Sequence, residues 1–242
     1  MASAGQANLT DWLALHGLDH DDVQTRLVRI RAATALKAPD PTVPDQTAPD
    51  PTVAKGTVLP IVLAALDRAF PAGAGVLATL RMAVRIDLAP DPARFPRAFT
   101  LQDDETGLPF VSVPLKGRMS DLLLLMHELG HACQSLASGQ ADLPPVQRET
   151  AAYLAEELLL RADPDRALVL QALHRARTAR IMARDGAALM QARPNTPYHY
   201  NWNYPVARDL AARAAVHLPV SAQWGVYTGD IDLPELLRLP AV

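Results

Sequence analysis

One short segment of this 242-residue chain carries two histidines and a glutamate at a spacing suited to metal chemistry. The segment reads His127-Glu128-Leu129-Gly130-His131, and an apolar run at 122–126 precedes it. Residues four apart on a helix lie on one face with Cβ atoms about 5–6 Å apart, so both imidazoles can bind one metal ion. Zinc takes such nitrogen ligands and leaves a position for water in catalytic sites. Glu128 would project beside the pair, where a carboxylate can take a proton from that water.

A catalytic zinc site of this type needs a third protein ligand, and a second helical segment follows on the chain. This segment, residues 147–159, comes after Pro144-Pro145, so a loop can turn the chain and let the segment run back beside the first helix. Glu149 lies in its first turn, and Glu156 lies two turns further along the same face. We expect Glu149 to bind the metal and Glu156 to hydrogen-bond to a ligand, with a solvent-exposed glutamate as the alternative for either.

These residues and their flanks resemble the thimet oligopeptidase and oligoendopeptidase F family of zinc peptidases. The likeness rests on Asp121 six residues before His127, on the sequence His-Glu-Leu-Gly-His-Ala, and on the later pair of glutamates. Within the region 95–242, three flanking segments are similar to the family's and occur in its order: 107–117, 198–207 and 227–237. The resemblance implies Zn²⁺ as the cofactor, His127, His131 and Glu149 as its ligands, and Glu156 and Asp121 as residues that support the ligands.

The resemblance also implies hydrogen-bond donors for the oxyanion that forms during peptide hydrolysis. In such a family, C-terminal tyrosines and a histidine donate to that oxygen, because charge develops on it in the transition state. Tyr200 matches the family pattern best, since it directly precedes Asn201, and His199 and Tyr204 are further candidates. Trp202 is expected to pack in the core or in a groove.

The rest of the sequence predicts the elements that must position these residues. Helical patterns cover 10–36, 57–70, 74–85 and most of the chain from Ser120 onward, with Ser120-Asp121 as the cap of the metal-binding helix. Two short β-prone runs flank a turn at 103–107 and predict a hairpin. We expect a mainly α chain with a small β-hairpin or sheet before the zinc helix, which the resemblance identifies as a zincin-like helical metallopeptidase domain.

Prolines divide the chain into three parts. The hexapeptide Ala-Pro-Asp-Pro-Thr-Val occurs at 38–43 and 48–53, and its prolines exclude a continuous helix there. We expect an N-terminal helical segment at 1–37, a Pro-rich linker at 38–56 and a catalytic domain at 57–242, with a proline-motif ligand as the alternative for the linker.

The part that resembles the family is preceded by only about 95 residues. Members of the family carry a large N-terminal domain that helps to cover a deep substrate channel. We therefore expect a more open site here, or one that is closed by a second subunit in a homodimer.

Composition excludes several other classes of protein. A formal charge of −3 and a pI near 6.1 give no basic surface for nucleic acid, and a single cysteine excludes an internal disulfide. The first residues lack the basic and apolar regions of a secretory signal, and no apolar stretch approaches the ~20 residues that span a bilayer. We expect a cytoplasmic protein without nucleic-acid or membrane partners.

For the other cysteine, histidine and arginine side chains that could do chemistry, we expect structural roles. Cys133 lies on a different helix face from His131 and is expected to be a buried structural thiol. Surface or capping roles are expected for four histidines, namely His16, His20, His174 and His217. A solvent-exposed helix face is expected for four arginines, with binding of a substrate carboxylate as the alternative, namely Arg175, Arg177, Arg180 and Arg184.

The leading hypothesis is a zinc-dependent metallopeptidase that hydrolyses peptide bonds in short or unstructured peptides, with Glu128 as the general base toward zinc-activated water. Two alternatives stay open: a pathway-dedicated protease that cleaves a leader peptide or a repressor, and a non-catalytic zinc-containing module that binds peptides. Proteins with His-Glu-Leu-Gly-His that cleave phage-type repressors also carry a glutamate segment like 149–159. The aromatic segment at 198–204 and the closing Leu-Pro-Glu-Leu-Leu favour the oligopeptidase resemblance.

Overall fold

The computed structural model describes residues 7–36, 50–103, 105–139 and 143–242. This part of the chain is mainly helical and contains one small three-stranded sheet. The elements up to the sheet are α1 (Leu9–His16), α2 (His20–Leu36), α3 (Lys55–Ala69), a 3₁₀ turn (Pro71–Gly73), α4 (Ala74–Met82), β1 (Arg85–Asp87), β2 (Phe99–Gln102) and β3 (Pro109–Ser112). The elements that follow are α5 (Ser120–Ala137), α6 (Pro145–Ala162), α7 (Ala167–Ile181), a π-helical turn (Met182–Gly186), α8 (Ala187–Gln191), a 3₁₀ turn (Tyr200–Trp202), α9 (Asn203–His217), α10 (Val220–Gln223), α11 (Gly225–Thr228) and α12 (Leu233–Arg238).

The sheet precedes α5, as predicted, and has one strand more than the predicted hairpin. β2 pairs antiparallel with β3, with Leu101 opposite Phe110, which confirms the hairpin. β1 pairs parallel with β3, with Ile86 opposite Val111, so the strand order is β1-β3-β2. The helical pattern predicted a helix up to Arg85, but α4 ends at Met82 and Arg85 begins β1. The three residues of β1 are too few to show the alternation of a strand in the sequence. Pairing with the distant β3 decides their conformation.

Helices α5 and α6 approach each other closely because α5 carries a glycine at their contact. A Cβ added at Gly130 would lie 2.9 Å from the Cα of Ala152 and 3.0 Å from the Cβ of Ala155. The absence of a side chain at Gly130 therefore allows the two backbones to come together. α6 also packs against α9, and residues of all three helices belong to the apolar core.

The predicted helix over 10–36 is divided into two. Gly17 adopts a left-handed conformation with φ +60°, which ends α1 and lets the chain turn into α2. α1 is attached to the C-terminal half of the chain, since Trp12 Nε1 donates to Asn203 Oδ1 over 2.8 Å. The N-terminal helices therefore pack directly against the part of the chain that carries the metal motif.

His16, the last residue of α1, caps helix α6. Its Nε2 accepts the N–H of Val146 at 3.3 Å, and its Nδ1 lies 2.7 Å from the carbonyl oxygen of Trp12. The ring is therefore neutral, with the proton on Nδ1, and burial lowers its pKa from the ordinary value. One of the two expected roles of His16, capping, is confirmed, although the ring is buried and not on the surface.

The end of the Pro-rich segment is attached to the turn before α5. Thr52 and Arg118 form an isolated antiparallel bridge, and the flanking Val53 N–H donates to the carbonyl oxygen of Gly117 at 3.0 Å. Residues 38–49, which include the first copy of the repeated hexapeptide, lie outside the described residues.

Asp50 provides the cap of α5 that was expected from Ser120-Asp121. Its carboxylate accepts the Ser120 N–H at 2.9 Å and the Ser120 hydroxyl at 2.7 Å. The Asp121 carboxylate accepts the main-chain N–H groups of residues 116–118 at 2.7–3.0 Å. Asp121 therefore holds the turn that leads into the helix, and these contacts do not reach a predicted metal ligand.

Within the described ranges, no single helix is long and apolar enough to cross a membrane. Only α3 taken together with the segment Pro71–Met82 meets the criterion of length and composition, and this pair is bent by 106°.

Candidate metal centre

α5 and α6 bring His127, His131 and Glu149 together, as predicted. One ligand atom from each side chain lies within 4.8 Å of the other two. Glu149 Oε2 is 3.5 Å from His127 Nε2 and 3.6 Å from His131 Nε2. Tetrahedral zinc ligands at 2.0–2.1 Å from the ion lie about 3.3–3.4 Å apart. The three side chains are therefore spaced so that they could hold a metal ion.

The partners of the Glu149 carboxylate support this interpretation. Oε1 accepts a hydrogen bond from the Tyr200 hydroxyl at 2.8 Å. Oε2 is buried and has no hydrogen-bond partner among the described residues. A buried carboxylate oxygen without a donor is costly, and a cation between Oε2 and the two imidazoles would remove that cost.

The electrostatics of the site favour bound positive charge. Burial lowers the pKa of His127, but the carboxylates of Glu149 and Glu156 outweigh it and raise that pKa to about 9. Burial raises the pKa of Glu149, but the nearby imidazoles of His131 and His127 outweigh it and hold the pKa well below its usual range. Glu149 is therefore ionised at neutral pH, and a bound metal would displace a proton from His127.

Glu156 hydrogen-bonds to His127, as expected. Its Oε1 lies 2.9 Å from His127 Nδ1, so Nδ1 donates and Nε2 is left to face the other ligands. Arg177 Nη1 lies 3.1 Å from Oε1, and Arg208 Nη1 lies 3.0 Å from Oε2. Although burial raises the pKa of Glu156, these two arginines hold it well below its usual range. Glu156 is therefore a fully buried anion with two cationic partners.

Glu128 faces a cavity of about 580 Å³ beside the three ligands. Thr100 Oγ1 lies 2.8 Å from Glu128 Oε2 and 2.9 Å from the Glu128 carbonyl oxygen. Strand β2, which carries Thr100, forms one wall of the cavity, α5 forms another, and the remaining wall includes Arg148, Tyr200 and Tyr204. Thr100 was not predictable from the sequence, because a lone threonine on a strand has no local signal that points to a glutamate 28 residues later.

The predicted oxyanion donors are only partly brought to this cavity. Tyr200 and Tyr204 line it. Burial and the charge of Glu149 raise the pKa of both phenols, that of Tyr204 to about 12, so both keep their protons at neutral pH. His199 is exposed and is not part of the lining, so that expectation is not supported. Trp202 is buried against Trp12, which confirms the packing role.

Two side chains of α7 depart from their expected surface roles. His174 is buried, its Nε2 lies 3.2 Å from Glu157 Oε1, and burial together with the charge of Arg208 lowers its pKa to about 3. Arg177 forms the ion pair with Glu156 described above. Both side chains face α6, where Arg177 pairs with the buried Glu156 and His174, with its low pKa, is neutral.

The remaining structural interpretations are confirmed. Cys133 is buried, and burial raises its pKa to about 12. Five side chains are exposed as expected, namely His20, His217, Arg175, Arg180 and Arg184.

Comparisons of the chain with protein-family models, with curated proteins and with solved structures find no match. The resemblance to a family of zinc peptidases therefore stays a prediction from the sequence motif and its flanks.

Proposed function

We propose that this chain is a zincin-like, zinc-dependent metallopeptidase that hydrolyses short or unstructured peptides. The observation that carries the proposal is the convergence of His127, His131 and the unpartnered Oε2 of Glu149, with the Glu128 carboxylate in the adjoining cavity. Two imidazoles, a carboxylate ligand and a second carboxylate beside them form the set that hydrolytic zinc sites use.

A zinc ion held by the three ligands would polarise a peptide carbonyl group and lower the pKa of a water molecule. Glu128 is the residue that would take the proton from water in the cavity and later pass it to the leaving amine. The hydrogen bond from Thr100 to Oε2 restricts the rotamer of Glu128 and leaves Oε1 for this task.

The two tyrosines of the cavity have separate roles in this proposal. The Tyr200 hydroxyl is engaged with Glu149, so Tyr200 orients a metal ligand. The Tyr204 ring packs at 5.9 Å from the Tyr200 ring and lines the cavity. Because the pKa of Tyr204 is raised to about 12, its hydroxyl can donate to an oxygen that becomes negative during hydrolysis. Tyr204 is therefore the better candidate for the oxyanion donor.

Strand β2 supports an extended peptide as the substrate. It is an edge strand of the sheet, and its residues Phe99–Gln102 line the cavity. An edge strand offers main-chain N–H and C=O groups to an extended segment of another chain. A short or unstructured peptide can take up that conformation, whereas a peptide bond inside a folded domain cannot.

The decisive test compares the wild type with Glu128→Gln, which keeps the side-chain volume and removes the base. Glu105→Gln, at an exposed glutamate, is the matched control. Metal content is measured by mass spectrometry, and cleavage of a peptide library is followed for each zinc-loaded protein. We expect zinc in all three proteins and a loss of cleavage by about 10²–10⁴-fold in Glu128→Gln alone.

Cleavage by zinc-loaded Glu128→Gln at the wild-type rate would overturn this mechanism. Stoichiometric zinc without turnover on any peptide would overturn the peptidase and favour the alternative of a non-catalytic zinc-containing module that binds peptides. Failure of the wild type to bind zinc would overturn the proposal as a whole.

A further inference from the structure

We propose that Arg208 of α9 positions the metal ligand His127 through two different side chains of α6. The inference rests on the metal-binding part of the proposed function and is independent of peptide hydrolysis.

Arg208 contacts two residues that share one face of α6. Its Nη1 lies 3.0 Å from Glu156 Oε2, and its guanidinium carbon lies 4.2 Å from the centre of the Tyr153 ring. Tyr153 and Glu156 are three residues apart on α6, so their side chains are neighbours on the helix surface. Both contact Arg208 of α9 and His127 of α5. A single planar group therefore touches both.

The same two residues hold the imidazole of His127. Glu156 Oε1 accepts from Nδ1 at 2.9 Å, which determines the nitrogen that faces the metal. The Tyr153 ring lies 4.8 Å from the imidazole, centre to centre, and limits its tilt. The hydrogen bond from His127 to Glu156 and the ring contact with Tyr153 together restrict the imidazole. Arg208 contacts both Glu156 and Tyr153.

The partners of Arg208 suggest why an arginine occupies this position. The side chain is 3% exposed, and its Nε and Nη2 have no hydrogen-bond partner among the described residues. A buried ion is expensive unless its partners are well placed, and an apolar residue would often cost less. The planar guanidinium can bond to a carboxylate and stack on an aromatic face at once, which a lysine ammonium cannot do as well.

α9 offers a matched control in Arg213, which is also 3% exposed. Its Nη2 lies 2.7 Å from Asp209 Oδ2, and its Nη1 donates to the Leu239 carbonyl oxygen at 2.9 Å. These partners lie outside the group of residues around His127. Replacing either arginine with methionine removes a buried cation from the same helix, but only Arg208→Met removes a support of a ligand.

The experiment measures zinc affinity by competition with a chromophoric chelator in the full-length wild type, Arg208→Met, Arg208→Lys and Arg213→Met. Thermal unfolding of each apo protein measures its stability, and the absorption spectrum of the Co²⁺ form reports the geometry of the ligands. We expect Arg208→Met to lose about 10–100-fold in zinc affinity and to change the cobalt spectrum. Arg208→Lys should lose less, because it keeps the charge beside Glu156 and gives up the stacking. Arg213→Met should keep the wild-type affinity and spectrum.

Wild-type affinity in Arg208→Met would overturn the inference. An equal loss of affinity in Arg213→Met would also overturn it, because the effect would then follow from general destabilisation. If Arg208→Met does not fold, Arg208→Lys with unchanged affinity and spectrum decides against the inference. A wild type that binds zinc but cleaves no peptide would overturn the proposed peptidase activity. The zinc affinities of the Arg208 and Arg213 variants would still test the role of Arg208.

Discussion

Tyr200 donates a hydrogen bond from its hydroxyl to Glu149 Oε1 over 2.8 Å, while Oε2 of the same carboxylate faces two histidines at 3.5 and 3.6 Å. The phenol thus engages the oxygen that is turned away from the imidazoles. Because a carboxylate is planar, holding one oxygen sets the direction of the other. Tyr200 therefore orients the third ligand, across 51 residues of sequence.

Tyr200→Phe should weaken zinc binding by about 10-fold, because a ligand loses the hydrogen bond that orients it. Tyr198→Phe is the matched control, since its hydroxyl accepts from Asn203 and not from a ligand. Zinc affinity is measured by chelator competition in both variants. Equal affinities for Tyr200→Phe and the wild type would show that the phenol does not orient Glu149.

Thr100→Val should lower kcat about 10-fold with little change in KM or zinc content. Valine keeps the shape of threonine but cannot donate to Glu128 Oε2, so the general base loses its fixed orientation. Thr100→Ser keeps the hydroxyl and should retain most of the activity. Steady-state kinetics on one peptide substrate provide the measurement. Wild-type kcat in Thr100→Val would contradict a role of the hydroxyl in orienting Glu128.

Gly130→Ala should destabilise the protein by about 1–3 kcal/mol, because the new methyl group would meet the backbone of α6. Separation of α5 from α6 also moves Glu149 away from the histidines, so zinc affinity should fall with stability. Gly75→Ala in α4 is the control, since a Cβ there meets nothing within 4 Å and alanine favours a helix. Urea unfolding of the apo proteins measures the stability, and chelator competition measures the zinc affinity. A neutral Gly130→Ala would contradict the close packing.

His16 should make stability fall in acid. Its pKa is lowered in the folded protein, whereas that of an unfolded chain is about 6.5. Below pH 6.5 the unfolded chain gains a proton that the folded protein resists, so the free energy of unfolding decreases by up to about 1.4 kcal/mol per pH unit. Above that pH the contribution of the neutral, capping imidazole is fully present.

The measurement is the difference in unfolding free energy between wild type and His16→Gln, taken from pH 8 down through 6.5. The difference should shrink as the pH falls, since glutamine does not titrate. His20→Gln, at an exposed histidine, is the control for the change from histidine to glutamine. A pH-independent difference for His16→Gln would contradict a neutral, buried ring.

The parts of the site that are local in sequence were predictable. His127 and His131 need only the four-residue helical spacing, and Glu149 and Glu156 need only a shared face on the next helix. The structure places all four as expected. The mainly helical character and the hairpin were predictable for the same reason, because both follow from periodicity within short windows.

The contacts that come from distant elements were not predictable. Thr100 reaches Glu128 only because β2 pairs with β3 and packs beside α5. Arg177 and Arg208 lie on helices whose own patterns do not reveal that a buried glutamate faces them. His199 directly precedes Tyr200, where a 3₁₀ turn begins, and only Tyr200 of the two lines the cavity. Adjacency in sequence therefore did not predict which of the two side chains faces the site.

Both helices that carry the candidate ligands are capped at their N-termini by residues from the first 50 positions of the chain. Asp50 caps α5, and His16 caps α6. The segment that bears the motif is therefore not a transplantable module. If the chain from residue 57 onward were grafted onto another protein, it would carry every ligand and lose the caps of both ligand-bearing helices. Asp50 and His16 are not among the three candidate ligands, yet their contacts fix the starts of the two helices on which the ligands lie.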